Sequence, residues 1–339
     1  MLLPLDIPPG VYRNKTEYES AGRWYDANLV RWNNGALQPM QGWRTFSAST
    51  VSGLARGMIA WRDNDGVLWI AVGTHSNLYV YDSSGARTDI TPSGFTSGSS
   101  SASEDVGYGK STYGTAGYGV ARPVTSTTGS LPATTWSLDT WGEYLVGCSS
   151  DDGDLYEWQL NTANDAAAIS GAPSDCKGLI VTEERFLFAL GAGGNPRLVQ
   201  WCDQEDNTDW TPSSTNQAGD YELQTHGSIV CARRVRGGTL ILTDLDVHIA
   251  RYQGPPYVYG FERVGAGCGI VGANAISALD VGAAWMGKSG FWLYDGSVTP
   301  LPCDVAEYVF GRINNAQISK VAAMHNVAFS EVIWFYPSE

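Results

Sequence analysis

A short pattern returns along this 339-residue chain and limits what it can fold into. Each copy is an alternating apolar run that ends in Tyr or Trp, often with a polar residue and then Gly behind it. The copies are "LYVYDSSG" at Tyr81, "LYEWQ" at Trp158, "LVQWCD" at Trp201, "IARYQG" at Tyr252 and "FWLYDG" at Tyr294. They stand 77, 43, 51 and 42 residues apart. A period of about 40 to 50 residues with strand-like alternation is the mark of propeller blades. The first interval is long because a Gly/Ser/Tyr-rich insertion, 93–123, interrupts it.

One unit reads clearly from Gly57 to Pro92. Four strands are expected, at Gly57–Arg62, Val67–Gly73, Asn77–Asp82 and Ala86–Thr91, with turns at Asp65-Gly66 and Ser84-Gly85. The recurring aromatic ends the third strand. Five such strands predict five blades. The closing segment, "ISKVAAMHNVAFSEVIWFYPSE", supplies two more strands and leaves "EVIWFYPSE" with a bare edge, which invites unwanted pairing. Matching third and fourth strands lie at the other end of the chain, in "NLVRWNNGALQPMQGWRTF". Trp32 precedes Tyr81 by 49 residues, and Asn34-Gly35 is a hairpin turn. The expectation is therefore an all-β, six-bladed propeller in which the N-terminal hairpin Asn28–Phe46 pairs with the C-terminal one. The competing reading is a fragment with further blades beyond Glu339. Residues 1–27 form an arm, and 28–339 the propeller. One helix is expected, at Cys303–Asn314, with Asp304 as its N-cap.

Charge excludes one class of function. The formal net charge is −14. Eight acids and no Lys or Arg stand between Arg122 and Lys177, and six acids stand without a base between Arg197 and Arg233. Such a surface repels phosphates rather than gripping them. No run approaches the ~20 apolar residues of a spanning helix, and the N-terminus lacks the pattern of a secretory signal. No stable membrane insertion is expected. Six scattered cysteines without a CxxC pair read as small buried thiols in a reducing compartment, and four histidines fit no metal spacing.

Motifs for chemistry are few. "GCGIVG" at Gly267–Gly272 matches GxGxxG but lacks the βαβ setting a dinucleotide site needs, so it reads as a connection between blades. "SSDDGDLY" at Ser149–Tyr156 resembles the Asp-box turn of sialidase-like propellers. Asp151, Asp152 and Asp154 there lack the loop pattern and distant Glu of a calcium site, and read as a polar turn. Arg233, Arg234 and Arg236 are the one dense basic cluster, but neighbours on a strand do not all face one centre. P-loop, GxSxG and HExxH signatures are absent, so no catalytic residue, cofactor or metal is expected. A carboxylate pair for glycoside hydrolysis stays open, since its spacing is set in three dimensions. Tyr108, Tyr113 and Tyr118 in the insertion are candidates for an adhesive loop, with a solvated loop as the plain alternative.

Several stretches taken in order resemble a known family: "PPGVYRNKTEYESAGRWYDANLVRWNNGALQPMQGWR", "GYGKSTYGTAGYG", "TTWSLDTWGEYLVG", "AAWMGKSGFWLYDGSVTPLPCDV" and "EVIWFYPS". Together they resemble the tail nozzle, or packaged-DNA stabilisation, proteins of short-tailed bacteriophages. That resemblance implies a structural virion protein of the phage tail, assembled in the host cytoplasm. It implies propeller subunits in a homohexameric ring below the portal and its adaptor. The ring would continue the DNA channel without sequence-specific binding, retain the packaged genome and carry fibres or tailspikes. The family has no catalytic residues to carry over. Asp151, Asp152 and Asp154 would then be channel-facing acids that keep phosphates off the wall, with an ordinary solvated surface as the alternative. The other classes to weigh are a glycan-binding propeller for host attachment and a glycoside hydrolase.

Overall fold

The structure is a computed structural model, and it describes residues 7–102 and 131–339. Tyr108, Tyr113 and Tyr118 lie outside the described residues. The N-terminal hairpin is β1 (Val30–Asn33) and β2 (Ala36–Pro39). Blade 1 is β3 (Ala55–Arg62), β4 (Leu68–Thr74), β5 (Leu78–Tyr81) and β6 (Arg87–Asp89). Blade 2 is β7 (Trp136–Trp141), β8 (Tyr144–Ser149), β9 (Leu155–Trp158) and β10 (Ala167–Ala168). Blade 3 is β11 (Gly178–Val181), β12 (Leu187–Leu190), β13 (Leu198–Trp201) and β14 (Gly219–Glu222). Blade 4 is β15 (Ile229–Val235), β16 (Gly238–Thr243), β17 (Asp246–Gly254) and β18 (Val258–Ala266). Blade 5 is β19 (Ile276–Leu279), β20 (Gly282–Met286), β21 (Phe291–Tyr294) and β22 (Val298–Leu301). The chain ends on β23 (Ala322–Asn326) and β24 (Glu331–Phe335).

Each blade is an antiparallel meander, and its first strand contacts the first strands of its neighbours. The fold is a β-propeller. Tyr81, Trp158, Trp201 and Tyr294 end third strands, and Tyr252 lies within one, as the repeat predicts. The strands expected in blade 1 match within two residues at each end. Gly66 and Gly85 take positive φ at the expected turns, as do Asn34 and Gly35 in the N-terminal hairpin.

The blade count corrects the expectation: five blades, not six. A sixth position beside blade 5 holds only the two-stranded sheet β23–β24, with β23 packed on β19. The N-terminal hairpin comes close but does not add to that sheet. Leu29 sits at φ 56, which turns the chain out of an extended path just before β1, and its carbonyl accepts the Met40 amide instead. The meeting is made by side chains. Arg31 lies 3.7 Å over the Phe329 ring and 3.4 Å from the Glu331 carboxylate. The helix is shorter than expected, Ala306–Phe310, with Val305 at its N-cap and no side-chain cap. Asp304 is drawn away by the arm: its carboxylate pairs with Arg23 at 3.0 Å, and its carbonyl accepts the Arg13 amide. The arm is bent back on itself, with Val11 beside Trp24, and Asn14 bonds to Cys303 and Glu307.

Packing between blades 1 and 2 depends on a large side chain seated on two glycines. Trp136, fully buried on the first strand of blade 2, rests on Gly57 and Gly73 of blade 1 and donates its indole N–H to the Thr74 carbonyl at 2.6 Å. A Cβ added at Gly73 would fall 2.3 Å from the Trp136 ring, and one at Gly57 2.6 Å from its Cβ. Trp334 makes a related contact on β24, donating to the Ala275 carbonyl at 3.1 Å. Gly73→Ala is therefore expected to destabilise the protein by about 2–3 kcal/mol through overpacking. Denaturant melts check this. Gly66→Ala, at a turn with open space around it but a positive φ, should cost about 1–2 kcal/mol through backbone strain alone.

Candidate functional site

The first strands of blades 1, 4 and 5, with β23 and β24, border a central cavity of about 410 Å³. Arg56 on β3, Arg233 on β15 and Lys320 just before β23 line it, with Asn274 between blades 4 and 5. A smaller pocket beside it is lined by Arg233 again and by Lys177. Among the described residues no Asp or Glu lines either one. In a chain of net charge −14, that absence is informative.

Backbone carbonyls hold the cations in place. Arg56 donates from one Nη to Ser100 at 2.6 Å and from the other to its neighbour Ala55 at 3.4 Å. Its Nε is buried and lacks a hydrogen-bond partner. Arg233 donates to the carbonyls of Ala232 at 2.9 Å and Ala273 at 3.4 Å. Lys320 donates to the Ser101 hydroxyl at 3.0 Å. Asn274 links blade 1 to the sixth position, donating to the Arg56 carbonyl at 2.8 Å and accepting the Ala323 amide at 2.7 Å. Carbonyls orient a cation without neutralising it. Among the described residues no carboxylate pairs with Arg56, Arg233 or Lys320. Burial, and then the nearby Arg56, lower the Lys320 ammonium from its ordinary range. Burial likewise lowers the Arg56 guanidinium.

Arg234 faces elsewhere. It pairs at 2.8 Å with Asp139, buried on β7, whose other oxygen accepts the Val181 amide of β11. This carboxylate ties the first strands of blades 2, 3 and 4 together. The basic cluster is thus split, as strand geometry requires. Sequence reading missed the pit because Arg56 and Lys320 lie far apart in the chain. The usable signal was a base in a strand otherwise small and apolar, as in "RGMIAW" and "VCARRV".

The acids named from sequence are not among the residues lining the cavity; they sit in the β8–β9 hairpin. Asp151 accepts the Thr134 hydroxyl at 2.6 Å and the Ser99 amide at 3.2 Å. Asp152 accepts the Thr96 amide at 2.7 Å and the Tyr156 hydroxyl. The turn therefore pins residues 96–99 to blade 2. Asp154 is raised from its usual range by burial first, and then by Asp152 and Asp175. The signature aromatics are structural. Trp158 and Trp201 are buried and donate to carbonyls of the loop that follows: Trp158 to Asn161 at 3.1 Å, Trp201 to Gln217 at 2.9 Å. The Tyr81 hydroxyl reaches Ser49 and that of Tyr252 reaches Gln217, each at 3.0 Å. Tyr294 is buried in the blade 5 core, and Trp32 packs 6.5 Å from Trp24. Gly267–Gly272 connects blades 4 and 5, with the Cys268 carbonyl accepting the Trp285 indole at 2.8 Å. All six cysteines are free, and burial pushes Cys176 and Cys202 up to about 12 and Cys231 to about 11. Among the described residues no group of three or more His, Cys, Asp or Glu could hold a metal ion. No helix among them is long and apolar enough to cross a membrane.

No protein-family model matches the chain, and no curated protein does. Solved structures similar to it include a virginiamycin B lyase from Staphylococcus aureus, 6% identical over 72% of this chain and 69% of that one, with a TM-score of 0.42. A streptogramin B lyase is 11% identical over 91% of this chain and 83% of that one, also at 0.42. A Penicillium chrysogenum alpha-L-arabinanase in complex with arabinobiose is 9% identical over 74% and 81%, at 0.34. The fold assignment rests on the strand order described above.

Because the Asp154 carboxyl is raised when folded, its proton stabilises the fold at low pH. That contribution is complete below the unfolded value, near 4, and is lost as pH rises through the folded one. Asp154→Asn is therefore expected to raise the melting temperature at pH 7, by a gain on the order of 0.5 kcal/mol after solvent screening. It should change little at pH 3. Calorimetric scans at both pH values check the sign.

Proposed function

We propose that this chain is a structural subunit of a bacteriophage tail, a nozzle whose copies assemble into a ring continuing the DNA channel below the portal and adaptor. One observation carries the reading: where the exposed large apolar residues lie. Nine of the fifteen among the described residues, Tyr18, Leu29, Leu37, Trp43, Phe46, Leu54, Val327, Phe329 and Phe335, lie in the terminal segments 18–54 and 327–335, while Met58, Val67, Tyr221, Leu245, Tyr257 and Val281 are scattered over the blades. Trp43 is 79% exposed and Val327 73%. Concentrated exposed apolar surface favours burial against another chain. In this reading the occupant is a second copy, and each subunit lends its terminal hairpins to the neighbour.

Two further features support it. The sequence stretches resembling nozzle proteins run through the same hairpins. The acidic clusters suit a conduit that phosphates slide past, and Asp151, Asp152 and Asp154 remain our candidates for its wall. The role is non-catalytic: assembly, genome retention and attachment of fibres or tailspikes. The homohexamer and the virion location belong to the same proposal.

The test is assembly. Electron microscopy of the protein, alone and with its adaptor, is expected to reveal rings with a duplex-wide channel. Trp43→Ser combined with Val327→Asp should weaken ring formation by tenfold or more, since few anchors carry most interface energy. Isolated propellers in the presence of adaptor would refute the reading, and glycan binding or cleavage by such a monomer would favour the attachment or hydrolase class instead.

A further inference from the structure

The charge inside the propeller opposes the charge outside it. Three bases, Arg56, Arg233 and Lys320, converge on one cavity from three separate parts of the ring, and among the described residues no acid lines it. Like charges brought together in a half-buried cavity repel, and each loses hydration. A fold tolerates this where a ligand supplies the missing negative charge. The cations are also held ready: the guanidiniums of Arg56 and Arg233 are fixed by carbonyls at 2.6–3.4 Å, the Lys320 ammonium by the Ser101 hydroxyl at 3.0 Å, and the Arg56 Nε is left buried without a partner. Bases placed to cover a surface would instead fan out towards carboxylates, as Arg234 and Arg251 do with Asp139 and Glu262.

The rest of the lining narrows the ligand. Met58, 73% exposed, Met324 and Phe335 give the cavity an apolar side. Methionine adapts to varied apolar shapes. A volume of about 410 Å³ suits a small molecule rather than a polymer. We infer that the central cavity binds a small organic anion, its carboxylate or phosphate held by Arg56, Arg233 and Lys320 and its apolar body against Met58, Met324 and Phe335. The inference rests on no part of the ring-assembly reading.

Titration calorimetry on the full chain tests it, with benzoate and phthalate as carboxylate probes, phenyl phosphate as the phosphate probe and benzamide as the neutral control. At least one anion is expected to bind at one site per chain, with a dissociation constant on the order of 1 mM or tighter at low salt. Binding should weaken as salt rises, and benzamide should not bind. The relative affinities of phthalate and phenyl phosphate identify the preferred group. Lys320→Gln and Arg56→Gln should each lower affinity about tenfold or more, since each removes a charge-assisted contact. Lys320 is partly exposed, so loss of folding can be told apart from loss of binding. Lys320→Gln should melt, without ligand, at or above the parent temperature, because it relieves repulsion. The inference fails if no anion binds at about 10 mM, a concentration that would nearly saturate a 1 mM site. It also fails if benzamide binds as well as benzoate, or if Lys320→Gln leaves anion affinity unchanged.

Discussion

Trp136 resting on two glycines is the contact on which the blade arrangement depends. First strands can lie side by side around a centre only where one blade yields space to the next. Gly57 and Gly73 yield it on blade 1, and the indole fills it while satisfying the Thr74 carbonyl. Asp139 adds a polar counterpart, reaching β11 and β15 from β7. A buried carboxylate with a backbone amide on one oxygen and a guanidinium on the other fixes direction more tightly than apolar packing alone. The centre of the molecule is therefore rigidly defined, and that definition lets three distant bases share one cavity.

Local chemistry made much of this legible in the sequence. The third-strand aromatics were readable because a local pattern marks them, and the Trp158 and Trp201 indoles tie down the loop behind, whereas the Tyr81 and Tyr252 hydroxyls reach back to earlier segments. Turn glycines at 66 and 85 were readable for the same reason. The sixth blade was misread because strand propensity says nothing about what a strand pairs with. β1 and β24 both form, but the turn at Leu29 and the interposed Arg31–Phe329 contact keep their backbones apart. The helix start was misread because Asp304, a good cap by type, is claimed by Arg23 and Arg13 from the other end of the chain. Errors fell where residues more than 250 positions apart compete for one group.

The site was the least legible part. Arg56 and Lys320 carry no motif, and the basic cluster that did stand out proved to be split, Arg233 inward and Arg234 to Asp139. Reading the acid clusters first drew attention to the hairpin at Asp151–Asp154, where the carboxylates mainly satisfy their own chain. What distinguishes the central cavity is the convergence of three bases from distant parts of the chain, and such a convergence becomes visible only once the fold has chosen which residues meet.

The two surfaces singled out here, the apolar terminal hairpins and the cationic centre, differ in what they ask of a partner. Apolar side chains at the sixth position gain from any burial, so a large partner surface with modest chemical demands satisfies them. The central bases gain only from negative charge delivered into a confined space, which demands a small and specific ligand. Asn274 stands between the two, joined to Arg56 on one side and to Ala323 of β23 on the other. Any shift of β23–β24, such as the proposed subunit contact would impose, would therefore be felt at Arg56 through two hydrogen bonds. Occupancy of the centre would in turn stiffen the strand pair that carries the exposed apolar surface. Through that residue the half-built sixth position joins an outward-facing surface to the centre of the propeller.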